Sequence, residues 1–255
     1  MDRDTRNYAD INAETIDRWV HDGWEWGVPI DHDAYIKAKN GDWHVLLTPV
    51  KPVPHTWFPA LRNIRLLGLA SGGGQQMPLF AARGARCTVL DYADSQLASE
   101  KLVAEREGYA IDIVKGDMSK PLPFEDHFFD IIFHPVSNCY VEDVYHVWRE
   151  CFRVLKKGGV LLAGMDNGLN FLFDGSNTLP LTVMHKLPFN PLKDPRLYEK
   201  YAATDGIQFS HSLEEQLGGQ LKAGFILADL YEDRDRAGIL SQYAPQYIAT
   251  RAIKP

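Results

Sequence analysis

The chain has no run of 18 apolar residues, so no membrane-spanning helix is expected and a membrane is not an expected partner. It has no basic run either, and its formal net charge is −7, which disfavours a phosphate backbone and hence nucleic acid as a partner. Cysteine is scarce. Cys87, Cys139 and Cys151 are the 3 in the chain, and their spacing suits neither a disulfide framework nor a zinc site, so no metal is expected. Cys87 in a strand and Cys151 on a helix face read as small core residues. The segment Met1-Asp2-Arg3-Asp4 is charged and lacks the apolar core of a secretory signal. These absences together suggest a reducing, cytoplasmic setting.

What is present is an ordinary globular composition, 45% apolar and 24% charged over 255 residues, enough for one large α/β domain with added segments. Residues 1–60 stand apart. They hold Trp19, Trp24, Trp26, Trp43 and Trp57, five of the 6 tryptophans, and the run Thr48-Pro-Val-Lys-Pro-Val-Pro54. Asn12 to Val20 suits a short helix, while the prolines favour extended chain. This segment reads as an arm or lid leading into a domain over 61–255.

Strand and helix signals alternate from there. Strands are expected at Asn63–Leu69, Arg86–Leu90, Ile111–Val114, Phe129–Phe133 and Val160–Ala163. The fourth is apolar on both faces, as a central parallel strand requires. Helices are expected from Pro78 to Arg83, from Gln96 to Glu107 (capped by Asp94 or Ser95 and stopped by Gly108) and from Glu142 to Leu155. In the last, Val144, Val147, Trp148, Cys151, Phe152 and Leu155 share one face. Lys156-Lys-Gly-Gly159 is expected to end it, with its cations at the negative end of the helix dipole. Asp166 to His211 shows little periodicity and reads as an insertion. A helix at Ser212–Ala223 and strands at Phe225–Leu230 and Gln246–Ile253 follow. No helix fits between those last strands, so they should pair antiparallel.

Three strand ends carry chemistry. Ala70-Ser71-Gly72-Gly73-Gly74 forms a tight turn whose small residues admit a ligand close to backbone, before a helix N-terminus suited to a carboxylate. Asp91 ends the second strand, 19 residues beyond Gly72, where a carboxylate accepts two ribose hydroxyls; Tyr92 can pack along an adenine. Asp117 and Met118 follow the third strand and offer an acceptor and an apolar edge to the same base. Without a ligand, the same residues would serve as a tight turn, a helix cap and a common Gly-Asp turn. The spacing of Gly72-Gly-Gly74, with Met77 further on, does not match the G-x-G-x-x-G of nicotinamide enzymes.

Together these segments resemble the class I S-adenosylmethionine-dependent methyltransferases, in pattern nearest the small-molecule enzymes related to ubiquinone biosynthesis. Leu67-Gly-Leu-Ala-Ser-Gly-Gly-Gly74, Leu90-Asp-Tyr-Ala-Asp-Ser95, Lys115-Gly-Asp-Met118, Phe129-Asp-Ile-Ile-Phe133 and Val154-Leu-Lys-Lys-Gly-Gly-Val-Leu162 carry the likeness over residues 62–165. It implies a doubly wound, seven-stranded Rossmann-like α/β sheet with an antiparallel C-terminal hairpin. It also implies S-adenosylmethionine as cofactor, held by Ala70, Ser71, Gly72, Gly74, Gln75, Asp91, Tyr92, Asp117, Met118 and His134. The chain departs from the family at Gly68, where an acid is usual, and at Ala70, where a glycine is usual. Gln75 or Ser71 would have to substitute for the acid near the methionine amino group.

Methyl transfer from a sulfonium needs alignment and desolvation, and a base only for a weakly acidic or protonated acceptor. His134, directly after the fourth strand, is the candidate base. Trp24, Trp26, Asn138 and His211 are candidate contacts for a small-molecule acceptor lying between the arm and the 166–211 insertion, which together would form a lid. The alternative expectation is a non-catalytic, regulatory protein that binds the same cofactor.

Overall fold

The apolar runs become the strands of one sheet: β1 (Arg65–Leu69), β2 (Arg86–Asp91), β3 (Ile111–Lys115), β4 (Phe129–His134), β5 (Leu155–Asp166), β6 (Ile226–Asp233) and β7 (Tyr247–Ile253). Their order is β3-β2-β1-β4-β5-β7-β6 in a computed structural model, which describes residues 7–173 and 179–255. The parts of the arm at 1–6 and of the insertion at 174–178 lie outside the described residues. β1 to β5 are parallel, and β7 runs antiparallel to both β5 and β6, which gives the expected terminal hairpin.

Pleating sends successive residues to opposite faces, and both faces are covered. Leu66, Ile131, Phe133 and Leu162 enter one core with Phe80 and with Trp43, Leu47 and Trp57 of the arm. Leu67, Ile132, Leu161 and Ala163 enter the other, against Val147, Trp148 and Cys151. Those last three lie on α5 (Val144–Val154). The remaining helices are α1 (Tyr8–His21), α2 (His32–Lys39), α3 (Gln76–Ala82), α4 (Asp94–Glu107), α6 (Pro195–Ala203) and α7 (Gly219–Ala223).

Several local expectations change. Asp94 and Ser95 do not cap α4: Asp94 pairs with Lys115, and the Ser95 N–H is received at 2.8 Å by Asp17 of α1. Gly108 does stop the helix, at φ 71°. Lys156–Gly159 is no terminator; it bulges out of β5 between the Phe129↔Leu155 and Ile131↔Val160 pairings. The cation at the end of α5 is Lys254, which donates to Leu155 O at 2.8 Å, while Lys156 pairs with Asp130 at 2.7 Å. The helix expected at Ser212–Ala223 is a π-turn at Glu214–Gly218 followed by α7. α2 and α6 begin at side-chain caps, Asp31 and Asp194, that the apolar pattern does not reveal.

The arm crosses the carboxyl end of the sheet. Leu47 O accepts from Val136 N at 3.1 Å. Asp233 Oδ2, at the end of β6, receives Thr48 Oγ1, Val50 N and Lys51 N, each at 2.8 Å, and so holds the proline-rich run in place. α1 joins the end of the insertion: Asn12 exchanges two hydrogen bonds with the Ile207 backbone, and Ile11 packs on Ile207 and Phe209.

The approach of arm to sheet depends on Gly164, where a Cβ would meet Leu47 O at 2.0 Å. Gly164→Ala is expected to lower stability by about 1–3 kcal/mol, as overpacking does. Gly218→Ala, at φ −62° with Glu214 Cγ 3.5 Å from the added methyl, is expected to leave stability unchanged or raise it slightly. Urea denaturation of both variants checks the pair.

Candidate functional site

β1 ends at Leu69, and the chain turns sharply. Ala70 takes φ 47°, a left-handed conformation that alanine rarely adopts. The next backbone N–H groups point towards β2 and α4. Gly72 N donates to Asp91 Oδ2 at 3.0 Å, Gly73 N to Gln96 O at 3.0 Å and Gly74 N to Glu100 Oε1 at 2.8 Å. The fit leaves no room for side chains: a Cβ on Gly72 would meet Gln96 Cβ at 2.7 Å.

Asp91 also receives Tyr92 N at 2.8 Å and Ala93 N at 3.2 Å on Oδ1. Burial raises its pKa, while these N–H groups and that of Gly72 oppose the shift. Burial pushes Glu100 up to about 8, against the Gly74 N–H and helped by the charge of Asp91. Past β3, Asp117 Oδ1 accepts Ser119 N at 2.8 Å, while Oδ2 is buried without a partner.

Two adjoining cavities cross these strand ends. The smaller, about 60 Å³, has Leu90, Asp91, Tyr92, Asp117 and Met118 on one side and Ala9, Asn12, Ala13 and Ile16 of α1 on the other. The larger, about 270 Å³, starts at Ala70, Ser71, Gly72 and Gln75 and runs under Trp24, Trp26 and Leu46–Pro49 to Cys139, Tyr140 and Tyr247. Ile16, Ala70, Asp91 and Tyr140 line both. Most of the residues singled out in the sequence therefore meet around one elongated cleft. Gly74 lines neither cavity and has its N–H held by Glu100, while Gln75, in the larger lining, donates from Nε2 to Val28 O at 2.8 Å and draws the arm over the turn.

His134, Asn138 and His211 are elsewhere. The pleat that sends Phe133 to one core sends His134 to the other, edge-on to Trp148. His134 is fully buried, with Nδ1 2.9 Å from Leu69 O and Nε2 2.9 Å from Asn138 Oδ1, and burial lowers its pKa. Asn138 Nδ2 continues to Gln216 Oε1 at 2.8 Å, and His211 Nε2 donates to Val141 O at 2.9 Å. None of the three lines either cavity. In place of the open histidine expected after strand four, the structure has one whose two ring nitrogens are both engaged.

The sequence reading missed Gln96, Tyr140, Gln208 and Tyr247 of the larger cavity, and Glu100 beneath the turn. Only Gln96 and Glu100 left a trace, as polar residues on the sheet-facing side of α4, where both are buried. Among the described residues no group of His, Cys, Asp and Glu is placed to hold a metal ion, and no helix is long and apolar enough to cross a membrane.

A doubly wound sheet of this order with a cleft across its strand ends defines a fold class, and comparison with known proteins adds the family. The methyltransferase domain family matches residues 67–163. The uncharacterized methyltransferase YbaJ of Bacillus subtilis (strain 168) is 42% identical over 251 residues, covering 95% of this chain and 97% of that protein. The ubiquinone/menaquinone biosynthesis C-methyltransferase UbiE of Bartonella quintana (strain Toulouse) is 36% identical over 109 residues, 41% of this chain and 42% of that one. In fold, the chain is similar to an S-adenosylmethionine-dependent methyltransferase from Mesorhizobium loti, with a TM-score of 0.62 and 17% identity over 78% of this chain and 94% of that one. The chain belongs to the class I S-adenosylmethionine-dependent methyltransferases. The residues present fit that cofactor. Buried oxygens without partners, Asp117 Oδ2 beside the smaller cavity and Ser71 Oγ and Gln96 Oε1 beside the larger, suit its amino and hydroxyl groups.

The raised pKa of Glu100 has a measurable effect on stability. The folded protein holds this proton up to about pH 8, whereas an ordinary glutamate loses it near 4.5. The resulting stability is therefore complete at low pH and is lost as pH rises through 8. Between pH 7 and 9 the loss attributable to Glu100 is expected to be about 1 kcal/mol. Urea denaturation at the two pH values should show it, and Glu100→Gln should remove most of the difference.

Proposed function

We propose that this methyltransferase acts on a small, predominantly apolar acceptor bound in the larger cavity, with the arm and the 166–211 insertion serving as its lid. The observation that carries the reading is the lining of that cavity beyond the turn: Trp24, Trp26, Leu46, Leu47, Pro49, Val136, Tyr140 and Tyr247, with no Lys, Arg or His among the described lining residues. Such walls match an uncharged or aromatic molecule better than a carboxylate, a phosphate or a nucleic acid. Free, buried thiols at Cys87, Cys139 and Cys151 suit the reducing cytoplasm.

In this reading Asp91 accepts the ribose hydroxyls, Asp117 Oδ2 accepts the adenine amino group, and Leu90, Tyr92 and Met118 pack along the base. The Gly-rich turn receives the methionine end. When bound, the cofactor supplies a methyl group on a sulfonium. The chain's own contribution is to hold both reactants in line and keep water out. Trp24 and Trp26 wall the cavity, with the Trp26 ring itself held under the Arg236 guanidinium at 4.9 Å. His134 and His211 are committed to internal hydrogen bonds, so the acceptor is one that is already nucleophilic at neutral pH.

Calorimetric titration with S-adenosylmethionine, followed by transfer of labelled methyl to a panel of small aromatic and aliphatic acceptors, tests the reading. Asp91→Ala is expected to weaken cofactor binding by about 1–3 kcal/mol, the range for removing a buried charge-assisted partner. Unchanged affinity in the folded variant would sink the ribose assignment. Tight binding with no transfer to any acceptor would favour the non-catalytic, regulatory alternative.

A further inference from the structure

Gly68 is enclosed by a specific neighbour. A Cβ placed on it would meet Met77 Sδ at 2.6 Å and Met77 Cε at 2.8 Å. The space into which an acid at this position would project is thus filled by a thioether, which offers no strong acceptor to a cation. S-adenosylmethionine carries an α-ammonium on its methionine, and a cation taken out of water needs oxygens around it.

The larger cavity has such oxygens. Ser71 and Gln96 belong to its lining, and Ser71 Oγ and Gln96 Oε1 are buried without a partner. Gln96 leans over the turn from the first turn of α4. A Cβ on Gly73 would meet Gln96 Oε1 at 2.6 Å and Trp26 O at 2.4 Å, so two amide oxygens converge on that glycine. Gln96 Nε2 lies 3.4 Å from Trp26 O, which fixes the plane of the amide. The neighbouring carboxylates are otherwise assigned: in this reading the remaining acceptor capacity of Asp91 goes to the ribose hydroxyls, and Glu100, fully buried, lies outside the cavity lining.

We propose that Gln96 Oε1 and Ser71 Oγ receive the α-ammonium of the cofactor's methionine, in the role left vacant by the glycine at position 68. The proposal rests on the reading of the cleft as the cofactor site, with Asp91 on the ribose. It makes the pair Gly68 and Met77 a substitution of one anchor for another: the acceptor moves from the strand to the turn and α4, and changes from a charge to two dipoles.

Three ligands separate the possibilities: S-adenosylmethionine, S-adenosylhomocysteine and 5′-methylthioadenosine, which lacks the amino-acid end. Their affinities are measured by calorimetry on the wild-type chain and its variants. Gln96→Leu is expected to weaken the first two about tenfold, as loss of a hydrogen bond to a charged group does, and to leave 5′-methylthioadenosine unchanged. Ser71→Ala, which removes only an oxygen, should show the same selectivity to a smaller extent and serves if Gln96→Leu fails to fold. Gln96→Glu should keep or tighten the binding of the amino-acid-bearing ligands. Equal losses for all three ligands, or no loss in either variant, would overturn the proposal. Asp91→Ala, by contrast, should weaken all three. If it spares 5′-methylthioadenosine, or the wild-type chain binds none of the ligands, the placement of the cofactor itself fails.

Discussion

Three consecutive backbone N–H groups, those of Gly72, Gly73 and Gly74, are held by the side chain of Asp91, the carbonyl of Gln96 and the side chain of Glu100. The cleft depends on this stitching. It presses the turn onto β2 and α4 closely enough that a side chain on any of the three glycines would collide. A turn with its N–H groups satisfied internally stays in one conformation without a ligand, which lowers the ordering cost of binding. The same bonds place Asp91 where it lines both cavities. Burial raises the pKa of both carboxyl groups, and for Glu100 the charge of Asp91 adds to it.

The covering segments are fastened to this platform at several points. Ile30 N donates to Gly74 O at 3.0 Å, Gln75 reaches the Val28 carbonyl, and Ser99 Oγ donates to Gly27 O. α1 is joined to α4 through Asp17 and to Tyr92 through Asp10, whose Oδ1 receives the tyrosine hydroxyl at 2.6 Å. Most of these bonds are few in number and near the surface, whereas the sheet beneath is held by continuous ladders and two apolar cores. Beneath those bonds the arm is also anchored in the first of these cores, through Trp43, Leu47 and Trp57.

Much of the fold was legible because buried parallel strands have only one way to look. Leu66–Leu67 and Ile131–Ile132 are apolar on successive residues, which marks both faces as covered. α5 was legible for a related reason, its apolar stripe recurring at helical spacing. Of the elements that escaped, α2 packs on α3 and buries only Tyr35 and Ala38, and α6 turns Tyr198, Tyr201 and Ala202 onto the small cluster of Ile11, Ile207 and Phe209. At the strand ends, Asp91, Asp117 and the glycines could be singled out because Asp91 closes β2 and the others come within a few residues of the ends of β3 and β1. His134 was misjudged for a geometric reason. A residue after a strand may face either side of the pleat, and only the packed structure shows that this one turns towards Trp148. The far part of the larger cavity was least legible, since its walls come from segments far apart in the chain, Leu46–Pro49, Pro135–Tyr140, Gln208 and Tyr247, whose meeting no local pattern records.

His134 does hold the cleft in shape. Its ring ties the end of β1 at Leu69 to Asn138, and Asn138 continues to Gln216 in the π-turn. All three side chains are fully buried. An apolar replacement would satisfy burial at each position, but dispersion contacts tolerate many orientations, whereas a hydrogen-bonded chain permits few. The segment so constrained, Pro135–Tyr140, walls the larger cavity. Insertion of the π-turn offsets the chain at Gln216 by one residue relative to a regular helix, which is the kind of local irregularity that aims a side chain at a chosen partner. The histidine expected to take part in the chemistry thus braces a wall of the larger cavity from behind.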